Sequence, residues 1–297
     1  MLETDALELL SPQDIPPRPW LIPGVLMDGH ITLLTGKPGE GKSLLALQWA
    51  VSVATGRPWM DWKPRQPRNV LMLSVEDDLD EQHRRLIGVC KGMGISKQEL
   101  QGRLWKVRGT AAALVSRNGG LPSRTPFYRA LAASRAARFG LIVVDPLVSM
   151  HEGMNENDNA DMQQLASALR DLSRIAPACP VLVVHHTRKG SVAADPDSGR
   201  GASAVLGVSR IQVGLDRMSD KEAKDLLEAK DFRERWRYAK VSTGKSNYGA
   251  RGGEQWLQML VHPLAHGDEA PAWAEWEPSI EVDISLVEAK GTQQRGR

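Results

Sequence analysis

Gly36-Lys37-Pro38-Gly39-Glu40-Gly41-Lys42-Ser43 fits the pattern G-x-x-x-x-G-K-[ST], and its reading decides the fold. In a loop of this kind the glycines let the backbone wrap a polyphosphate with its N–H groups turned inward. The lysine reaches the β- and γ-phosphates, and the hydroxyl completes the shell of a Mg²⁺ ion. The segment from Gly36 to Leu44 is therefore the expected nucleotide cradle, with Ser43 as a metal ligand. The flanks agree with this. Residues 30–35 (HITLLT) read as a short buried strand, and residues 43–51 (SLLALQWAV) place apolar side chains near i, i+3 and i+4, as a helix does. A helix N-terminus aimed at the loop favours anionic phosphates.

Working outward, strand and helix signals alternate. Residues 69–75 (NVLMLSV), 141–144 (LIVV) and 181–184 (VLVV) are continuous apolar runs of the kind buried on both faces of a parallel sheet. Residues 104–108 make a further strand. Helices are expected after Asp78 to about Cys90, from Thr125-Pro126 to Arg138, and over 160–175, with 109–125 as loop. The alternation implies an α/β fold with crossover helices. Beyond residue 205 the expectation changes to strands without intervening helices, at 211–215, 236–241 and 255–261, added antiparallel to the sheet edge. The expected organisation is a proline-rich N-terminal extension (1–24), an ATPase domain (25–265) and a C-terminal tail (266–297).

The chain has 297 residues, 41% hydrophobic and 25% charged, with a net charge of only +2. Bulk charge does not announce a nucleic-acid protein, so any basic surface must be local. Cys90 and Cys179 lie outside any metal spacing and read as reduced core residues of a cytoplasmic protein. No apolar run approaches the roughly 20 residues of a membrane helix, so no membrane partner is expected.

Ligands of a parallel α/β sheet sit at the C-terminal ends of its strands, where four of these strands finish in polar residues. Asp145 follows Leu-Ile-Val-Val and suits a metal-associated carboxylate, or else the cap of a turn before Pro146. Glu76, first beyond its strand and with the longest reach, suits activation of an attacking water; Asp77 and Asp78 compete, or cap the following helix. His185 and His186 end a third strand, and His186 is the better placed to touch a γ-phosphate. Arg188, Lys189 and Arg200 surround a polar loop of a kind that can project toward nucleic acid or simply face solvent. Arg210 and Lys245 lie in the strand-rich C-terminal part. Either could neutralise charge on a neighbouring subunit's phosphates or be an ordinary solvated cation.

Taken in order, these features resemble RecA-like ATPases, and more closely the RepA family of plasmid replicative helicases, relatives of the DnaB-type hexameric helicases and of KaiC. The resemblance spans about residues 20–262. It is carried by Gly36–Ser43, Ala54–Trp59, Ser74–Asp77, Val144–Leu147, Asn155–Asn159, His185–Gly190, Arg200–Ala204 and Lys245–Gly249. It implies a RecA-like core that binds ATP and Mg²⁺, with Glu76 as catalytic base, Asp145 as metal-associated carboxylate and His186 as γ-phosphate sensor. It further implies Arg210 as an arginine finger acting on a neighbour, Lys245 as a second such cation, and a homo-oligomer of six. Loops near 151–159 and 188–203 would contact single-stranded DNA. The implied function is a helicase of mobile-element replication. Alternatives are a KaiC-like nucleotide-gated switch and a recombination or defence accessory ATPase that does not unwind.

Overall fold

The computed structural model describes residues 10–107, 113–156, 158–187, 203–228, 231–248 and 253–278. Two short strands, β1 (Trp20–Ile22) and β2 (Leu26–Met27), pair antiparallel ahead of β3 (Ile31–Gly36), the phosphate loop and α1 (Lys42–Thr55). Then come β4 (Val70–Ser74), α2 (Leu79–Met93), a one-turn α3 (Lys97–Leu100) and β5 (Leu104–Lys106). Short strands β6 (Val115–Ser116) and β7 (Ser123–Arg124) precede α4 (Pro126–Arg138), β8 (Leu141–Asp145), β9 (His151–Glu152), α5 (Asn159–Arg174) and β10 (Val181–His186). The remainder is α6 (Ser203–Val208), β11 (Ile211–Arg217), α7 (Asp220–Leu226), β12 (Tyr238–Ser246), β13 (Gln255–Pro263) and β14 (Glu269–Glu275).

Among the described residues the main sheet has nine strands in the order β14-β13-β12-β11-β3-β10-β8-β4-β5. The six from β11 to β5 run parallel, and β12 to β14 add antiparallel. Continuous apolar runs suit this arrangement because both faces of the central strands are covered. Leu141 and Val143 join the core around α1, whereas Ile142 and Val144 join the core around α5. Each such side chain contributes about 1.5–3 kcal/mol by burial. Register then sets the site. Ser74 lies opposite Asp145, and His186 lies opposite Gly36, so the C-terminal ends of four strands meet along one edge.

The helices begin and end where local chemistry dictates. Gly56 closes α1 in the left-handed region at φ 76°. Asp78 caps α2 by accepting from the Glu81 N–H at 2.7 Å, and Asp158 caps α5 in the same way.

Several expectations are corrected. The sheet does not stop at residue 265: β14 pairs with β13 over seven positions and lies along α2. Gly88 and Gly92 make that contact possible, since a Cβ at either would sit 2.8 Å from the methyl of Ala270 or Ala272. The part of the N-terminal extension around Trp20–Ile22 is strand, with Leu21 and Ile22 fully buried. Segment 109–125 contains β6 and β7, which form a small sheet with β9. Strands beyond 205 are interrupted by α7, which starts at a capping box of Ser219 and Glu222. The expected DNA loop at 188–203 falls, apart from the first residue of α6, outside the described residues. So do its charges Arg188, Lys189 and Arg200, and Asn157 and Gly249. No helix is long and apolar enough to cross a membrane, among the described residues.

Candidate functional site

β3 delivers the chain to the phosphate loop at Gly36, and α1 starts six residues later. The first N–H groups of a helix have no intrahelical partner. The first such bond in α1 is from the Leu45 N–H to the Gly41 carbonyl, so the N–H groups of Lys42, Ser43 and Leu44 are available to phosphate oxygens. Gly39 and Gly41 sit at φ 77° and 92°, which turns the loop back over the strand end. Pro38 and Gly39 form its exposed tip. Glu40 points into the protein instead: its carboxylate accepts from the Lys37 N–H at 2.6 Å and is raised in pKa, first by burial and also by Asp216. Lys37 thus gives its own N–H to Glu40, while the Lys37 carbonyl accepts from Lys42 Nζ at 2.6 Å.

Lys42 is 3% exposed. Burial lowers its amine to about 8, although Glu40, Asp145 and Glu76 pull the other way. Ser43 Oγ donates to Asp145 Oδ1 at 3.1 Å. Asp145 is itself buried and its carboxyl is raised to about 6 by desolvation, only partly offset by the Ser43 bond. A hydroxyl and a desolvated carboxylate side by side are a hard, all-oxygen pair. They fit Mg²⁺, which takes one or two protein oxygens and completes its shell with water and substrate phosphate. No cluster of three or more His, Cys, Asp or Glu forms a metal cage among the described residues. A cavity of about 230 Å³ opens beside Ser43 and Asp145, between β4, β5 and α2, with Lys106 and Arg85 on its wall.

The three acidic candidates after β4 separate clearly. Asp77 pairs with Arg85 at 2.6 Å, and Asp78 is the α2 cap. Glu76 is exposed and makes no ion pair or hydrogen bond among the described residues, yet its charge is felt by Lys42, Asp145 and His186. His186 is half-buried, with Nδ1 buried and unpartnered. Its pKa is lowered by burial and by Lys42, against the pull of Glu76. His185 is held down to about 4 by burial, with His186 and Lys42 adding. Lys42, Ser43, Glu76, Asp145 and His186 are therefore one electrostatic unit at one sheet edge.

Arg210 and Lys245 are not part of it. The Arg210 N–H donates to the Ile31 carbonyl, at the start of the strand whose end carries the phosphate loop. Five residues of strand, at about 3.3 Å each, separate the two ends. Lys245 lies with Arg210: its Nζ donates to the carbonyls of Leu206 and Ser209, and Arg210 is among the causes that lower its pKa, after burial.

Trp273 and Gln48 form part of the loop's setting that sequence reasoning missed. The Gln48 side chain brackets the Trp273 backbone, accepting from its N–H at 2.7 Å and donating to its carbonyl at 2.8 Å. The indole lies behind Gly41, and Arg217 stacks over its ring at 4.8 Å. Gln48, a lone amide inside an apolar helix, was the available signal.

Comparison with known proteins agrees with this fold. The chain resembles the solved structures of a RadB recombinase (14% identity, TM-score 0.50, covering 78% of this chain and 88% of that one) and of a DnaB-like replicative helicase described with its primase interactions (13%, 0.54, 78% and 57%). It also resembles a KaiC-like protein from Pyrococcus horikoshii (17%, 0.51, 86% and 94%). At these identities the likeness is one of fold, and the fold is RecA-like. The pattern of a family described as an AAA domain matches residues 2–192, which include the phosphate loop, Glu76, Asp145 and His186. The chain belongs to that AAA domain family and has the RecA-like architecture of P-loop ATPases related to DnaB and KaiC.

Proposed function

We propose that this protein is a Mg²⁺-dependent ATP hydrolase of the RepA-like hexameric type, which couples hydrolysis to translocation on single-stranded DNA during replication of a mobile element. The observation that carries this reading is the division of the catalytic groups. Lys42, Ser43, Glu76, Asp145 and His186 gather at one end of the sheet, whereas Arg210 and Lys245 gather at the other. A second copy is then needed to finish the site.

In the proposed reaction a water attacks the γ-phosphorus of ATP in line and the bond to the ADP oxygen breaks. Glu76 orients the water and accepts its proton. Lys42 and the N–H groups of the loop hold the β- and γ-oxygens where charge develops. Ser43 and Asp145 would hold Mg²⁺, which supplies neutralisation of those oxygens when bound. Arg210 and Lys245 act on the nucleotide of the adjacent copy. His186 senses the γ-phosphate and passes its loss to the segment after β10. Magnesium and ATP are thus the working ligands, and DNA the track.

One observation favours a second reading. Near β9, which the first reading assigns to DNA, Glu152 and Asp158 are exposed and Glu156 lies 3.7 Å from His151; acid is poorly suited to a phosphate backbone. A KaiC-like switch or an accessory ATPase without unwinding would tolerate it. ATPase rate with and without single-stranded DNA, on protein whose mass in solution is measured by light scattering, separates these readings. DNA-stimulated turnover by a hexamer supports the first. ATP-dependent assembly with no DNA stimulation supports the switch, and absence of Mg²⁺-dependent hydrolysis under every condition removes both.

A further inference from the structure

The phosphate loop carries one acid of its own, Glu40, set between Gly39 and Gly41. Its side chain is 7% exposed and lies under the loop, where a Cβ on Gly36 would sit 3.0 Å from Oε2 and 2.4 Å from the Leu215 carbonyl oxygen. The carboxylate takes the Lys37 N–H for itself, so that donor is turned away from an incoming phosphate. Lys42 Nζ meanwhile donates to the Lys37 carbonyl. Of the carboxylates that act on the Lys42 amine, Glu40 pulls hardest, ahead of Asp145 and Glu76. Burial and Asp216 work against the charge of Glu40, whereas the Lys37 N–H and the cations Lys37 and Lys42 favour it, and Arg217 feels its attraction. No cation comes within ion-pair distance of Glu40 among the described residues.

A loop whose glycines, lysine and helix end suit polyphosphate thus holds a fixed carboxylate without a contact partner. Two like charges close together in a partly desolvated site repel. Bracing Lys37 asks only for an acceptor, which a neutral amide supplies as well, so the charge at Glu40 is surplus to that task. We propose that Glu40 opposes the phosphate ligand: its charge loosens the loop's grip on a nucleotide and speeds the departure of ADP. The identity of the ligand as a nucleotide rests on the proposed ATPase function, whereas the repulsion concerns any phosphate in the loop. Lys42 is drawn toward Glu40 and the Lys37 carbonyl, and has to leave that carbonyl to meet a phosphate. After hydrolysis the product is held less tightly than the loop N–H groups and Lys42 alone would hold it. That matters for turnover, because product release limits many enzymes.

Glu40→Gln keeps the length of the side chain and an acceptor for the Lys37 N–H, and removes the charge. Inorganic pyrophosphate, titrated calorimetrically, should bind this variant about tenfold or more tightly than the unaltered protein, as loss of one nearby like charge in partly desolvated surroundings allows. Stopped-flow release of a fluorescent ADP analogue should slow by a similar factor, and KM for ATP should fall. Glu40→Asp, which keeps the charge, should gain none of this. Unchanged or weaker pyrophosphate binding by Glu40→Gln overturns the proposal, since a merely structural brace gives that result. Equal tightening in Glu40→Asp overturns it as well, because shape rather than charge would then decide. Tighter pyrophosphate binding without slower ADP release overturns the role in product departure, and binding by neither protein overturns the whole. Failure of the unaltered protein to hydrolyse ATP would count against the ATPase reading alone, since the pyrophosphate titration needs no turnover.

Discussion

The indole of Trp273 donates from Nε1 to the carbonyl of Gly41 at 3.1 Å, and a Cβ on Gly41 would lie 2.6 Å from its ring. A residue on the last strand of the sheet therefore buttresses the residue that immediately precedes Lys42 of the phosphate loop. Trp273→Ala removes this support and should cost about 3–5 kcal/mol of stability as a large-to-small core change. Trp273→Phe should retain most of the packing and lose about 1 kcal/mol with the hydrogen bond. Urea unfolding and titration with a fluorescent ATP analogue measure both effects. Nucleotide affinity unchanged in Trp273→Ala would mean that the loop holds its shape without the buttress.

Gly41→Ala combines a left-handed φ with that close approach. It should weaken nucleotide binding more than Gly39→Ala, because a Cβ at Gly39 meets nothing within 4 Å. Equal losses in the two variants would show that backbone strain alone decides.

Glu76→Gln should bind ATP normally and hydrolyse it about 10²–10⁴-fold more slowly, the range for loss of a general base. Asp77→Asn removes an ion pair to a partly exposed Arg85, worth about 0–1 kcal/mol, and should leave turnover nearly intact. Quench-flow phosphate release compares them, and the reverse ranking would transfer the base role to Asp77.

Arg210→Ala should lower hydrolysis by about 10³-fold or more, as removal of an arginine finger does, while its own loop still binds nucleotide. Mixing with Lys42→Ala protein should recover activity in proportion to the hybrid contacts formed. Steady-state ATPase across mixing ratios gives the answer, and a flat curve excludes action in trans.

His185, held at about 4 by burial, contributes stability that depends on pH. Its neutral form is favoured in the fold, so the unfolded chain takes up the proton first as pH falls. The contribution is present above about 6.5, the ordinary histidine value, and is lost as pH falls toward 4. Asp145, raised to about 6, acts with opposite sign over much of that window. The readout is therefore a difference: urea midpoints of His185→Asn minus wild type between pH 8 and 4.5. That difference should move in favour of the variant as pH falls, and a constant difference would refute the assignment.

Much of the nucleotide end was legible because its chemistry is local. Gly36 to Ser43, and each apolar run that closes on Asp145 or His186, carry period and polarity within a few residues. The separation of Glu76 from Asp77 needed coordinates, since Arg85 lies a full helical turn and more away in the chain. β14 was hidden for a different reason. Glu269-Ala-Pro-Ala-Trp-Ala-Glu has small side chains and a proline where a strand usually has branched ones. Those small residues are what let it lie against Gly88 and Gly92, a complementarity between distant parts of the chain that no window contains. The helix α7 was overlooked although Ser219 and Glu222 form a capping box, because the flanking strands dominated the periodicity.

The buttress at Trp273 also bears on biosynthesis. A nascent chain that has emerged through residue 192 already carries every motif of the nucleotide end. It still lacks the strand that backs Gly41 and covers α1. Competence of the loop to grip a phosphate should thus arrive late in translation, once β14 has left the ribosome.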